Sequence, residues 1–144
     1  MWVLIVAGLC AGLFAGAAIY ITAVEHPARL SCGTELALRE FAPSYHRATF
    51  MQASLAIAGC VTGLWSAWVR DDAWLVLAAL LLGVVVPYTL LVILPTNKQL
   101  LDPALDPASP KATALLVRWG RLHAARSVLS SIAFVVFLLR LAAP

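Results

Sequence analysis

The chain has 144 residues, 62% of them hydrophobic and only 12% charged, with a mean hydropathy of +0.92. A soluble domain carries about twice that charged fraction, so a soluble globular fold is excluded, and the length allows a single domain over residues 1–144. The net charge of +3 reads as the Lys/Arg excess of membrane loops. Nucleic-acid binding needs a basic stripe on a soluble face, and no such face is available. Cys10, Cys32 and Cys60 form no CxxC pair; Cys10 and Cys60 lie in apolar runs and read as packed thiols.

The expected fold is all-α, an integral-membrane antiparallel four-helix bundle. A helix crosses the ~30 Å hydrocarbon core with about 20 apolar residues. The first span is expected over about 2–24. Trp2 opens an uncharged run without a basic leader, which reads as a permanent span and not a cleaved signal. Gly8, Gly12 and Gly16 recur every four residues, spacing that clears one helix face for close packing. Pro27 is expected to end this span. Residues 25–47 read as a polar connection, with interfacial helical turns near Glu35–Phe41. The second span covers about 48–69, with Gly59 and Gly63 as another GxxxG pair. Arg70-Asp71-Asp72 forms a tight link to the third span, about 73–94, which Pro87 is expected to kink. A proline-bearing loop follows. The fourth span, about 119–141, is purely apolar only from Val128 to Leu139. To reach about 20 residues it must begin near Leu122, which draws His123 and Arg126 into the membrane.

Orientation follows from the basic residues. Arg29, Arg39, Arg47, Lys98, Lys111, Arg118, Arg121 and Arg126 fall on one side, against Arg70 and Arg140 on the other. The positive-inside rule places the longer loops in the cytoplasm and both termini outside an inner (cell) membrane.

Polar residues gather where the first span ends, the second opens, the third ends and the fourth opens: Glu25 and His26; Arg47 and Gln52; Asn97; and Trp119, His123 and Arg126. In an antiparallel bundle these ends meet at one membrane face. Trp119, His123 and Arg126, at i, i+4, i+7, share a helix face. Arg126 lies ~24 Å from Leu141 along the helix, deep enough to need an interior partner, for which Glu25 is the nearest plausible carboxylate. Three chemistries fit. Histidine can take a proton from an acidic carbon or phenol while Arg126 holds the oxyanion. His26 and His123, with Glu25 or His46, can ligate a transition metal, although no HxxxH pair supports it. Two histidines can also ligate haem. His46 itself reads as a solvated loop residue. A binding or assembly protein that uses its GxxxG faces to form homo-oligomers is the non-enzymatic alternative.

The chain resembles the anthrone oxygenase-like family of small four-span membrane proteins. The resemblance rests on Glu25-His26-Pro27-Ala28 after the glycine-rich span, on Ile93-Leu94-Pro95-Thr96-Asn97, and on Trp119-Gly120-Arg121-Leu122-His123-Ala124-Ala125-Arg126. It implies oxidation of the central carbon of a lipophilic anthrone- or quinol-type substrate by dioxygen, without an organic cofactor. His26 and His123 would then handle protons, and Asn97 and Arg126 would position the substrate or reduced oxygen. Trp119, Gln52, Arg47 and Glu25 would line the substrate pocket. Gly120 stands where the family leads one to expect a larger residue, and the expectation is that it enlarges the pocket.

Overall fold

The computed structural model describes residues 1–143. Among them there is no β-strand, and four long helices account for most of the chain: α1 (Trp2–Ser31), α2 (Thr34–Arg70), α3 (Ala73–Leu100) and α4 (Pro110–Ala142). Each is long and apolar enough to cross a bilayer, the mark of a multi-pass membrane protein.

All four helices run past the expected spans, and in α1 and α3 the backbone ahead of a proline shows how. Pro27 does not end α1. One wide π turn, Ile21–Glu25, precedes it, and the His26 N–H bonds back five residues to the Ile21 carbonyl. Proline lacks the N–H that an α-helix would need there; the wide turn shifts the ladder so that the helix continues to Ser31. The same device recurs in α3, where the π turn Thr89–Ile93 precedes Pro95 and the Leu94 N–H bonds to the Thr89 carbonyl. Residues 25–47 are therefore mostly helical rather than a loop. Only Cys32 and Gly33 interrupt, with Gly33 at φ 91° supplying the turn. Pro43 lies within α2 without breaking it. The expected disturbance of α3 at Pro87 is present as an interruption at Val84, after Ala73–Gly83 and before Val85–Tyr88.

Helix α1 packs on α2 and α4, and α3 packs on the same two. Close backbone approach uses the glycines. A Cβ at Gly12 would lie 2.8 Å from Phe134, and one at Gly63 would lie 2.7 Å from Phe137 and 2.9 Å from Ala79. Gly12, Gly59 and Gly63 are thus packed against from within the chain, whereas Gly16 has nothing within 4 Å. Cys60 packs beneath Gly83 and Cys10 beside Gly59; both thiols are free.

Two apolar clusters result. One joins Leu4, Ala11, Phe14, Leu75, Leu82 and Phe137; the other joins Ile21, Phe41, Ile93, Leu100, Leu116 and Trp119. On α2 and α4 the polar residues Gln52, His123, Arg126 and Ser130 fall between the two clusters along each helix.

At the far end from these residues, Asp72 caps α3 by accepting from the Trp74 N–H at 3.0 Å, and it takes the Arg140 Nε at 2.6 Å. Burial disfavours the Asp72 carboxylate. The Arg140 guanidinium and the Trp74 N–H outweigh it and hold this carboxyl below its ordinary range.

Candidate functional site

The centre of the polar region is an aromatic stack. Trp119 and His123, one turn apart on α4, lie with ring centroids 4.8 Å apart and an interplanar angle of 27°. His26, delivered from α1 just past its π turn, meets Trp119 at 5.0 Å and 54°. Phe41 closes against Trp119 edge-on at 5.3 Å, and the Arg29 guanidinium lies 5.7 Å from the same ring.

The two histidines differ in their partners. His123 Nδ1 lies 3.0 Å from the Thr22 hydroxyl, which lies 2.8 Å from the Ser127 hydroxyl. Thr22 sits within the π turn of α1, so the irregular turn carries this contact. Neither ring nitrogen of His26 meets a side-chain hydrogen-bond partner, although the residue is 6% exposed; the Leu116 backbone is the hydrogen-bonding group beside its ring. Buried polar atoms are ordinarily well satisfied, so a buried imidazole this sparsely bonded is a candidate for proton handling.

Arg126 does not meet Glu25, the partner expected for it. It donates to Gln52 Oε1 at 2.5 Å, 74 positions away in the chain, and lies 5.3 Å over the Phe14 ring. Glu25 pairs instead with Arg29 on its own helix and accepts from Ser44 at 2.9 Å; Glu40 Oε2 lies 2.7 Å from Arg29 Nε. The local i, i+4 arginine takes the carboxylate before a distant one can. Arg126 is left without a carboxylate partner among the described residues.

Two cavities flank the Arg126–Gln52 contact. The outer, about 80 Å³, is lined by Phe14, Thr49, Gln52, Ala53, Ala56, Val85, Val86, Thr89, Leu90 and Arg126. The inner, about 30 Å³, is lined by Ile21, Arg29, Phe41, Ser44, Tyr45, Ala48, Thr49, Gln52, Trp119, His123 and Arg126. Thr49, Gln52 and Arg126 belong to both walls.

The structure therefore gathers His26, Gln52, Trp119, His123 and Arg126. Asn97 and Thr96 are buried on the last turns of α3, which pack against α4; Asn97 Oδ1 and Thr96 Oγ1 have no partner, and neither residue lines either cavity. Arg47 and His46 are exposed, and neither lines a cavity. Gly120 does not enlarge the pocket. The space its missing Cβ would take is filled by His26, whose Nε2 would lie 2.6 Å from that atom. Among the described residues no three of His, Cys, Asp and Glu gather to hold a metal ion. Sequence reasoning missed Thr22, Arg29 and Phe41. Arg29 was open to discovery through its i, i+4 spacing from Glu25; the others announce themselves by no pattern.

Four helices apolar enough to cross a membrane, with a buried imidazole–indole–guanidinium cluster beside a small cavity, define the chain as a multi-pass membrane protein with a polar cluster inside its helices. The anthrone oxygenase family matches residues 41–136, two thirds of the chain, and the protein belongs to that family. The matched stretch contains Gln52, Asn97, Trp119, His123 and Arg126, whereas Glu25 and His26 precede it. No curated protein and no solved structure matches the chain.

Proposed function

We propose that the protein is a membrane-embedded oxygenase acting on a lipophilic aromatic substrate of the anthrone or quinol type. The helices cross the membrane antiparallel, with the polar end of the bundle and the longer loops cytoplasmic and both termini outside the cell membrane. The observation that carries the reading is the pairing of two buried imidazoles on one indole with an arginine that has no carboxylate partner. Such a set can take a proton and hold the anion that remains.

Within this reading His123 is the general base. Nδ1–H donates to Thr22, whose hydroxyl donates to Ser127, and Nε2 keeps the lone pair that accepts the proton. The C–H bond at the central carbon of the anthrone breaks and its proton passes to the imidazole. The aromatic carbanion gives its electrons to dioxygen, forming a hydroperoxide that becomes the carbonyl by losing water. Anthrone and dioxygen thus yield anthraquinone and water, with no metal or organic cofactor entering the balance. Arg126, with Gln52, holds the enolate oxygen or the reduced oxygen, and His26 returns the proton. Trp119 supplies an aromatic face, and Glu25 acts through Arg29.

The test is oxygen uptake by the purified protein in nanodiscs with emodin anthrone. Uptake above the spontaneous rate that falls about 100-fold or more in both His123→Ala and His26→Ala is expected for a general acid–base pair. Unchanged rates in both variants would remove the histidines from the mechanism. No turnover with any anthrone or quinol, together with tight binding of the same compounds, would favour the ligand-binding alternative.

A further inference from the structure

Apart from Gln52 and Arg126 at its floor, the outer cavity is formed by residues that the chemistry above does not use. Its walls come from α2 (Ala53, Ala56) and α3 (Val85, Val86), and its rim includes Thr49 and Leu90, both exposed on helix surfaces of apolar character. The cavity therefore opens sideways, between α2 and α3, toward the region that lipid occupies. Helix α3 is least regular along this wall. It is interrupted at Val84, carries Pro87, and widens into the π turn that begins at Thr89. Breaks of this kind persist where they serve a site.

The floor of the cleft is polar. Gln52 is 2% exposed, and its Nε2 has no hydrogen-bond partner. Beside it Arg126 has an unpartnered Nε and no carboxylate partner. A guanidinium at membrane depth without a counter-ion calls for an anion. The apolar walls call for a ring.

We propose that the ligand enters from the bilayer between α2 and α3, lodges an apolar ring against Ala53, Ala56, Val85 and Val86, and sets an ionisable oxygen of that ring on Arg126 and Gln52. The ligand class is a lipid-soluble, weakly acidic phenol or enol. Insertion of the oxygen parts the Arg126–Gln52 hydrogen bond, frees both side chains as donors, and joins the outer cavity to the inner one beside His123. The proposal rests on the proposed oxygenase site, but it concerns where the ligand enters and rests, independently of whether turnover follows.

The test uses the full chain in nanodiscs with 1,8-dihydroxyanthraquinone as probe, whose absorption moves to the red when a phenol ionises. Expected for the wild type are saturable binding and a red-shifted spectrum at a pH where the free probe is neutral, with anthracene, which lacks the oxygen, binding at least about tenfold more weakly. Ala53→Phe fills the cleft and Leu90→Trp obstructs its mouth at an exposed position that folding tolerates; each is expected to weaken probe binding about tenfold. Arg126→Gln abolishes the red shift. Wild-type affinity in both Ala53→Phe and Leu90→Trp would overturn lateral entry, even if oxygen uptake with emodin anthrone stands. A red shift surviving in Arg126→Gln would overturn the oxygen's placement. Absence of anthrone turnover with probe binding as expected would sink the oxygenase reading and leave this inference intact.

Discussion

Gly120→Ala separates stability from function in this site. The added Cβ would sit 2.6 Å from His26 Nε2 and 2.7 Å from its Cδ2, so the imidazole must retreat by nearly 1 Å to reach ordinary van der Waals distance. It has little room, because the residue is 6% exposed and its ring packs against Trp119 at 5.0 Å. Overpacking of this size costs about 1–3 kcal/mol, whereas alanine in place of glycine inside a helix returns about 1 kcal/mol. The net loss of stability is then at most about 2 kcal/mol, within reach of a protein that still folds. A 1 Å misplacement of a reacting group, by contrast, costs about 100-fold in rate. Thermal unfolding in detergent, measured beside oxygen uptake with emodin anthrone in nanodiscs, gives both numbers. A small shift in unfolding temperature with about a 100-fold fall in turnover is expected. Wild-type turnover in a folded Gly120→Ala protein would show that His26 need not stand against Gly120 for the reaction to proceed. Its role as proton donor would then fail.

Thr22→Val keeps the shape of the π turn but removes the hydroxyl beside His123 Nδ1; a loss of about 10- to 100-fold in uptake rate is expected, with the protein's unfolding temperature almost unmoved. Gly63→Val drives new carbon atoms into Phe137 and Ala79, which already stand 2.7 and 2.9 Å from where a Cβ would be. The Ala79 Cβ is fixed to the α3 backbone and the Phe137 ring is fully buried, so neither has room to yield, and loss of the monodisperse folded species on size-exclusion chromatography is expected. Asp72→Ala removes the α3 cap and the Arg140 partner, and about 1 kcal/mol of stability is expected to go with the cap. Asp72→Asn keeps the cap and loses the charge. Because the folded carboxyl is held below its ordinary range, its contribution is present above the unfolded pKa of about 4 and disappears as the pH falls through the folded value. Unfolding curves of wild type and Asp72→Asn should therefore converge in acid, and a gap of undiminished size after the carboxyl has been protonated would contradict the ion pair's role.

Much of the fold was legible because a bilayer imposes length. Four uncharged or nearly uncharged runs can only be helices that satisfy their own backbones. Residues spaced i, i+4, i+7 must share a helix face, so Trp119, His123 and Arg126 belong together by spacing alone. What the sequence could not decide was how far each helix runs and how it is rotated. Pro27 and Pro95 look like stops, yet a π turn ahead of each lets the helix continue. Along α1 apolar residues circle the whole helix, so no stripe distinguishes the interior from the lipid face. Rotation is settled instead by close packing: Gly12 under Phe134, Gly63 under Phe137, and Gly120 over His26. That packing brings Gln52 to Arg126 and leaves Glu25 with the arginine on its own helix. The chain's residues determined that charge would be buried at one end of the bundle; only the tertiary structure decided which charges lack partners, because that depends on how each helix is rotated against its neighbours.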